Sequence, residues 1–226
     1  MRQARRTPSR PARTARPARR RTRRPQQRSL ETRERLVEAA LHVFADHGFA
    51  GASTREIARR AGVALAALPY HFVSKEELWK AAAGRIFGRL TETFRRRVAG
   101  LEGVDPKARL RLLLREFVRF QAAHPELHRF MIQEGIGKSS RLVWLVETHI
   151  RPIYDSVRAM IEESEREGFV PLGRPEHIHY MLIGAASTVY ALAAEYELIT
   201  GEDPSEEARV AEHVATLERM FFRETP

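Results

Sequence analysis

The chain has 226 residues, 43% of them hydrophobic and 30% charged, which is enough for one domain or two small ones with a real core. It contains no cysteine, which excludes a disulfide scaffold, a thiolate metal site and a cysteine nucleophile and fits a reducing compartment. The net charge of +10 lies in one segment, because residues 1–28 hold 12 arginines and no acid, whereas the rest of the chain holds 27 basic and 29 acidic residues.

The first 28 residues are predicted to be a disordered arm. Apart from Met1 they have no aliphatic side chain larger than alanine, and they include four prolines, so they cannot bury enough surface to fold. The apolar stretch of a secretory signal does not follow the charges. Three interpretations remain open: a flexible arm that binds polyanions through its arginines, a solvated extension without a function, and a start codon placed upstream of the true one.

The remaining sequence predicts an all-α fold. Apolar residues recur with helical spacing in the first predicted helix, and Gly48 supplies a left-handed residue at its end. Ser53 with Glu56, and Ser74 with Glu77, have the spacing of N-terminal capping boxes, and several prolines mark further helix starts. We expect about nine helices, at residues 31–48, 54–61, 64–71, 74–100, 106–123, 125–135, 139–167, 175–200 and 204–222.

One uncharged run deserves a separate interpretation. Tyr180–Ala194 holds 15 residues without a formal charge, which is shorter than the membrane span of about 18–20 residues. Its many small residues permit the close approach of another helix. We therefore expect a surface buried between helices or between subunits, and no transmembrane segment.

Residues 53–72 carry the most specific pattern in the chain. Ile57, Ala58 and Ala61 form the apolar side of a short helix, and Gly62 permits a tight turn before a second short helix. Two helices joined by a glycine-containing turn of this length form a helix-turn-helix. In that motif the second helix enters the major groove of DNA and the first crosses the phosphate backbone.

Further positions extend the pattern over about sixty residues, from Glu31 to Ile86. They are the capped first helix, Gly48-Phe49, Thr54, Ile57-Ala58, Ala61-Gly62-Val63, Leu68, His71-Phe72 and Ser74-Lys75-Glu76. This run resembles the N-terminal domain of the TetR family of transcriptional regulators. The resemblance implies an all-helical homodimer, with a three-helix DNA-binding domain at residues 29–75 and a ligand-binding and dimerisation domain at residues 76–226.

The resemblance also implies roles for single residues. The start of the first motif helix, together with a lysine at the start of the following helix, would contact phosphates; these residues are Ser53, Thr54, Arg55 and Lys75. The exposed face of the recognition helix would consist of Ala64, Leu65, Ala66, Ala67, Tyr70 and His71. Phe72 is expected to belong to the core.

Two departures from the family pattern bear on the mechanism. Pro69 stands where the family commonly has a tyrosine or another donor, and a proline inside a regular helix costs about 3 kcal/mol unless the helix starts late or winds tightly. The predicted recognition helix also has no arginine, asparagine or glutamine for bidentate base contacts. We therefore expect base reading through apolar contacts with thymine methyl groups, through Tyr70, His71 and Arg55, and through DNA shape.

The sequence offers no motif for catalysis or for metal binding. His124 and His128 have a spacing that suits zinc, but Pro125 lies between them and no third or fourth ligand follows. A nucleophile elbow, a phosphate-binding loop, a zinc-protease motif and a dinucleotide fingerprint are all lacking. We expect no enzyme activity, no metal and no cofactor.

Bulky or polar residues within apolar stretches of the C-terminal part are candidates for a small-molecule site, which the resemblance places in this domain. Aromatic residues at helical spacing usually form core, so we expect only about a third of the candidates to line a pocket. The candidates are Phe94, Phe117, Phe120, Phe130, Met131, Trp144, His149, Tyr154 and Tyr190.

These observations together predict a cytoplasmic TetR-like repressor that binds a near-palindromic DNA operator as a dimer paired through its last two helices. A small, largely apolar effector would favour a conformation in which the recognition helices no longer fit half-sites about 34–36 Å apart, with the helix at 74–100 as the lever. The alternative is a polyanion-binding protein without sequence specificity that acts through the arginine arm. No membrane partner is expected.

Overall fold

The computed structural model describes residues 23–99, 104–170 and 173–222, and these residues form helices without a strand. The helices are α1 (Arg23–Gly51), α2 (Thr54–Arg60), α3 (Leu68–His71), α4 (Lys75–Val98), α5 (Pro106–Ala123), α6 (Glu126–Gly135), α7 (Ser140–Leu145), α8 (Arg151–Arg166), α9 (Pro175–Ala191), α10 (Ala193–Thr200) and α11 (Glu207–Phe221). A 3₁₀ turn, Leu65–Ala67, precedes α3, and a π-helical turn, Val146–Ile150, joins α7 to α8. The predicted all-α class, with an N-terminal helix-turn-helix and a helical C-terminal domain, is confirmed.

The first helix is longer than predicted. It begins at Arg23, so the last six residues of the predicted arm at 1–28 are helical and that part of the prediction is wrong. Pro25 does not prevent this, because it lies in the first turn, where a helix has no hydrogen-bond partner for the backbone N–H. The rest of the predicted arm, residues 1–22, lies outside the described residues.

The long helix predicted at 175–200 is broken at Leu192. The backbone there leaves the helical range, with φ −106° and ψ 30°, and α9 and α10 are bent by 68°. Neither glycine nor proline marks the position in the sequence. Tyr190, just before the break, is buried beside α11, whereas α10 has no buried residue, so tertiary packing rather than a local signal separates the two helices.

Only one of the two predicted capping boxes forms. The Ser74 hydroxyl oxygen accepts a hydrogen bond from the N–H of Glu77 at 3.0 Å, and the Glu77 carboxylate accepts one from the N–H of the residue before the cap. Ser53 precedes α2 without a side-chain cap, and the Glu56 carboxylate accepts a hydrogen bond from Arg59 at 2.8 Å. The box predicted at Ser53 is therefore wrong, and its hydroxyl is left for another partner.

Two hydrophobic clusters hold the helices together. The first joins α1–α4 to α6 and α7 and runs across the boundary predicted between residues 75 and 76. The second lies among α5, α9 and α11. The largest fully buried side chains of the first are Trp79, Phe44, Phe72, Phe130, Leu36, Leu41, Ile57, Leu78, Ile86 and Leu145. The DNA-binding helices thus share their core with the first helices of the C-terminal domain.

The uncharged run lies in α9 and the first residues of α10. It buries Ala186, Ser187 and Tyr190, but Tyr180 and Met181 are 70% and 56% exposed. Among the described helices, none by itself has the length and apolar character of a membrane span. Only α9 and α10 counted together, as a bent pair, have that length and apolar character.

Candidate nucleic-acid interface

The turn between α2 and α3 is built around one glycine. Gly62 has a φ of +63°, a left-handed conformation that other residues rarely adopt. The N–H of Val63 donates to the carbonyl oxygen of Ala58 at 3.0 Å, which closes the end of α2. Ile57 of α2 and Leu68 of α3 are buried, so the two short helices are fixed against one core.

The recognition segment starts with a tight turn because of its proline. The segment predicted as a helix at 64–71 forms the 3₁₀ turn Leu65–Ala67 and then α3. Pro69 occupies the first turn of α3, where its missing N–H costs no helical hydrogen bond. The helix therefore starts late and escapes the cost of a proline in its interior.

The residues predicted to contact DNA lie at or near the surface. The Tyr70 side chain is 88% exposed and that of Leu65 is 44% exposed. Of the others, Ser53, Arg55, Ala64 and Ala66 are exposed, and Thr54, Ala67, His71 and Lys75 are half-buried. Phe72 is 1% exposed, which confirms its predicted place in the core. The accessible part of the recognition segment is thus apolar and aromatic.

Two cations stand beside this segment. Within the described part of the chain, Arg55 pairs with no carboxylate, whereas Arg59 is held by Glu56. Lys75 opens α4, and its Nζ lies 4.7 Å from the centroid of the Phe49 ring. Burial, and secondly the positive charge of Arg141 in the C-terminal domain, lower the pKa of Lys75. The Arg55 guanidinium is therefore free for a phosphate, and the Lys75 ammonium has a defined position.

Helix α4 brings three of the nine predicted ligand residues together. Phe130 stacks on Trp79 with ring centroids 5.2 Å apart, and Trp144 meets Trp79 edge-on at 6.0 Å. His149, within the π-helical turn, stacks on Phe87 at 5.2 Å and meets Trp144 edge-on at 5.3 Å. Sequence reasoning missed Trp79 and Phe87, although their spacing of eight residues puts them on one face of α4. These five rings form the α4 aromatic cluster.

The other six candidates have separate partners. Met131 packs against the first hydrophobic cluster. The remaining pairs are Phe94 with Phe117 at 6.3 Å between ring centroids, Phe120 with His124 at 4.6 Å, Tyr154 with His179 at 5.1 Å and Tyr190 with His213 at 5.7 Å. Tyr190 is 2% exposed, and its hydroxyl has no hydrogen-bond partner among the described residues. Burial raises its pKa to about 12, so the hydroxyl stays protonated.

The described histidines do not assemble a metal site. No group of three or more histidine, aspartate or glutamate side chains converges within the described residues. His124 instead lies 3.1 Å from the carboxylate of Glu126. That carboxylate is 5% exposed, so the half-buried imidazole serves as the partner of a buried acid.

Four histidines, one buried and three half-buried, are expected to make the fold sensitive to acid. Burial lowers the pKa of His128, His149, His179 and His213 below its usual value, because a charged imidazole is poorly solvated there. The unfolded chain then binds more protons than the folded one between the lowered pKa and about 6.5, so the free energy of unfolding falls as pH falls through that window. Urea unfolding at pH 7.5 and at pH 5.2 measures this difference.

A matched pair of variants assigns the effect. His179→Gln removes a buried titrating group, so the loss of stability between the two pH values should shrink. His177→Gln changes an exposed histidine two residues earlier and should leave the pH dependence as it is in the parent chain. Equal pH dependence in all three proteins would contradict the assignment.

Comparison with known proteins agrees with this geometry. Residues 36–82 match the model of the bacterial regulatory proteins of the tetR family, and this range spans the end of α1, the helix-turn-helix and the start of α4. The HTH-type transcriptional regulator RutR of Escherichia coli K12 is 24% identical over 193 residues, which cover 84% of this chain and 88% of RutR.

Two solved structures share the fold. The SCO4942 protein of Streptomyces coelicolor superposes with a TM-score of 0.62 at 26% identity, over 84% of this chain and 98% of that one. AibR, solved with isovaleryl coenzyme A and operator DNA, gives a TM-score of 0.68 at 17% identity, over 84% of this chain and 98% of AibR. The family model covers the interface itself, and both likenesses extend through the C-terminal helices. Residues 36–82 thus form a helix-turn-helix DNA-binding domain of the TetR family, and the chain as a whole has the fold of these transcriptional regulators.

Proposed function

We propose that this regulator is a repressor that acts in the cytoplasm, where it binds a near-palindromic operator as a homodimer and responds to a small, largely apolar effector. The observation that carries the proposal is the recognition segment, which presents Tyr70 and Leu65 to solvent while Leu68 and Phe72 anchor it in the core. A tyrosine ring with so little packing around it is available for bases and sugars in the major groove.

Base reading is proposed to depend on apolar contact. The segment Ala64–Ala67 has methyl and isobutyl groups but no bidentate donor, so thymine methyl groups are the base features that it matches best. Arg55 and Lys75 would hold the phosphates, together with the hydroxyls of Ser53 and Thr54. Phosphate contacts set the position of the protein and base contacts set the preference for a sequence.

The dimer is proposed to form through α9 and α11. On α9, Met181, Gly184 and Thr188 follow one another at intervals of three and four residues, so they share a helix face. Met181 is 56% exposed, Thr188 is exposed, and Gly184 has open space where a side chain would stand. This apolar face with a central glycine permits the close approach of a second copy, and it lies within the uncharged run.

The effector is proposed to act on the α4 aromatic cluster. Phe87 and Trp79 belong to the same helix as Lys75, and His149 and Trp144 face them from the α7–α8 segment. A ligand that separates these rings would move α4 and with it the DNA-contacting end. It releases DNA only if it binds the shifted conformation more tightly. The π-helical turn at Val146–Ile150 supports this, since such turns recur at functional sites.

Selection of bound duplexes from a random DNA pool, at about 0.15 M salt to screen exposed charges, tests the proposal. The two proteins compared are the full chain and residues 23–226, because α1 begins at Arg23 and a later cut would remove part of it. We expect both to enrich the same inverted repeat. Deletion of residues 1–22 removes nine arginines, so it should lower only the general affinity and the salt dependence.

Other outcomes would contradict separate parts of the proposal. A G·C-rich motif without thymine dependence would contradict the apolar reading of bases. Unselective binding by the full chain, with no enrichment by residues 23–226, would move the function to the arginine arm. The protein would then be a polyanion binder that has the fold of the family without its sequence recognition.

A further inference from the structure

The end of α1 joins the C-terminal domain to the DNA-binding helices. Gly48 is so close to α6 that a Cβ atom at this position would lie 2.9 Å from Oε1 of Gln133. Asp46, two residues earlier, lies 3.5 Å from Arg129 of α6 and 3.6 Å from Arg60 of α2. A single carboxylate therefore connects α6 with the first helix of the helix-turn-helix.

The α6–α7 corner, residues 133–141, is organised by a buried carboxylate. Glu134 has a side chain only 5% exposed, lies 3.1 Å from Arg141, and accepts a hydrogen bond from the Ser139 hydroxyl. Ser139 also caps α7, because its oxygen accepts from the N–H of Leu142 at 2.9 Å. A buried carboxylate needs its partners, so Glu134 fixes where the Arg141 guanidinium points.

Arg141 and Lys75 share one aromatic ring. Cζ of Arg141 lies 3.8 Å from the centroid of Phe49, and Nζ of Lys75 lies 4.7 Å from the same centroid. Phe49 in turn stacks on Phe44, which is 1% exposed. The ring is thus anchored in the core, and two cations from different domains lie against it. Because Glu134 holds Arg141 in place, the repulsion between the two positive charges acts on the Lys75 ammonium from a fixed position.

We propose that Arg141 is a positioning residue for DNA binding: held by Glu134 and stacked on Phe49, it sets the place of the Lys75 ammonium at the start of α4. The α6–α7 corner then couples the C-terminal domain to the phosphate contact beside the α4 aromatic cluster, since Cζ of Arg141 also lies 5.8 Å from the centroid of the Trp79 ring. A shift of the corner removes one cation from the ring and loosens the other. This inference rests on the proposed function, because it takes Lys75 to contact a phosphate.

Salt-dependent binding of the full chain to the duplex enriched by the selection tests the proposal. Each phosphate contact contributes about 0.9 to the slope of log affinity against log salt. Lys75→Ala should lower the affinity about tenfold and reduce the slope by about one contact. Arg141→Ala should reduce the slope by a similar amount, and it should cause no further reduction in the Lys75→Ala background, because coupled residues are not additive.

Two further variants separate position from charge. Phe49→Leu removes the shared ring but no charge, so it should reduce the slope as Arg141→Ala does. Lys138→Ala removes one exposed positive charge from the same corner without touching the ring, so the slope should stay as it is in the parent chain. Thermal unfolding of each variant shows whether the fold is retained. If Arg141→Ala proves unstable, it is replaced by Arg141→Lys, which keeps the charge.

The outcomes distinguish this inference from the proposed function. If Lys75→Ala leaves the slope unchanged, or if no duplex is enriched, the phosphate contact of the proposed function fails and the inference fails with it. If Lys75→Ala lowers the slope but Arg141→Ala and Phe49→Leu behave like Lys138→Ala, the proposed function stands and the inference is overturned.

A second measurement requires no DNA. The chain has only four lysines, so reductive ¹³C-methylation labels four side-chain amines and the α-amino group for NMR titration of the full chain. The Lys75 signal should carry a ring-current shift that Phe49→Leu abolishes, and Arg141→Ala should raise the pKa of Lys75 because a neighbouring positive charge is gone. A Lys75 signal that both substitutions leave unchanged would overturn the inference.

Discussion

Gly184→Arg is expected to convert the protein into a monomer and to lower its affinity for a two-half-site operator by about 10²–10⁴-fold, because the second half-site is then no longer bound intramolecularly. Gly184 lies at the centre of the exposed α9 face, and no neighbouring helix of the described residues comes within 4 Å of where its side chain would begin. The arginine therefore fits the folded monomer but obstructs a second copy. Sedimentation and operator titration measure the two effects.

Gly88→Arg is the matched control for this substitution. Gly88 is also a helical glycine with open space for a side chain, but it lies on α4, away from the proposed dimer face. Replacement of either glycine within a helix should raise helix propensity, so neither variant is expected to unfold. A dimeric Gly184→Arg protein with full operator affinity would show that the subunits pair elsewhere.

Trp79→Ala is expected to lower the free energy of unfolding by about 3–5 kcal/mol, the usual cost of removing a buried aromatic side chain. Trp79 is 1% exposed and contacts the rings of Phe130 and Trp144, so its loss opens a cavity between α4, α6 and α7. Domains are typically stable by about 5–15 kcal/mol, so the variant should lose a large part of its stability. Urea unfolding followed by circular dichroism measures the change.

Two further variants serve as controls for the unfolding free energy of Trp79→Ala. Trp79→Phe keeps an aromatic ring in the cluster and should cost less than half as much. Val73→Ala shortens a side chain that is 94% exposed, so its unfolding free energy should stay within about 0.5 kcal/mol of the parent value. A small effect of Trp79→Ala would show that α4 is not held to α6 and α7 through this ring.

The helix-turn-helix could be predicted from the sequence because its determinants are local. Gly62 permits the turn, Ile57 and Leu68 face the core at helical spacing, and the structure places all three as expected. Pro69 was identified as a departure, and its position in the first turn of α3 resolves the cost that a regular helix would carry. Spacing along a chain determines which residues share a face, so this part needed no tertiary information.

The ligand candidates show where such reasoning ends. Aromatic character and helical spacing select core and pocket residues equally, and of the nine candidates only Phe130, Trp144 and His149 belong to the α4 aromatic cluster. The two rings that join them, Trp79 and Phe87, were absent from the prediction, although Phe94 of the same helix was among the candidates. Which rings meet depends on the packing of α4 against α6, α7 and α8.

The sequence by itself determined the all-α class, the helix-turn-helix and the exposed apolar recognition segment, since helical periodicity, glycine and proline act within a few residues. Only the tertiary structure decided the break at Leu192 and the meeting of Arg141 with Lys75 at the Phe49 ring. The two cations are 66 positions apart in the sequence, and no local pattern relates them. They meet because α6 packs against the end of α1. Many buried apolar side chains stabilise that contact together.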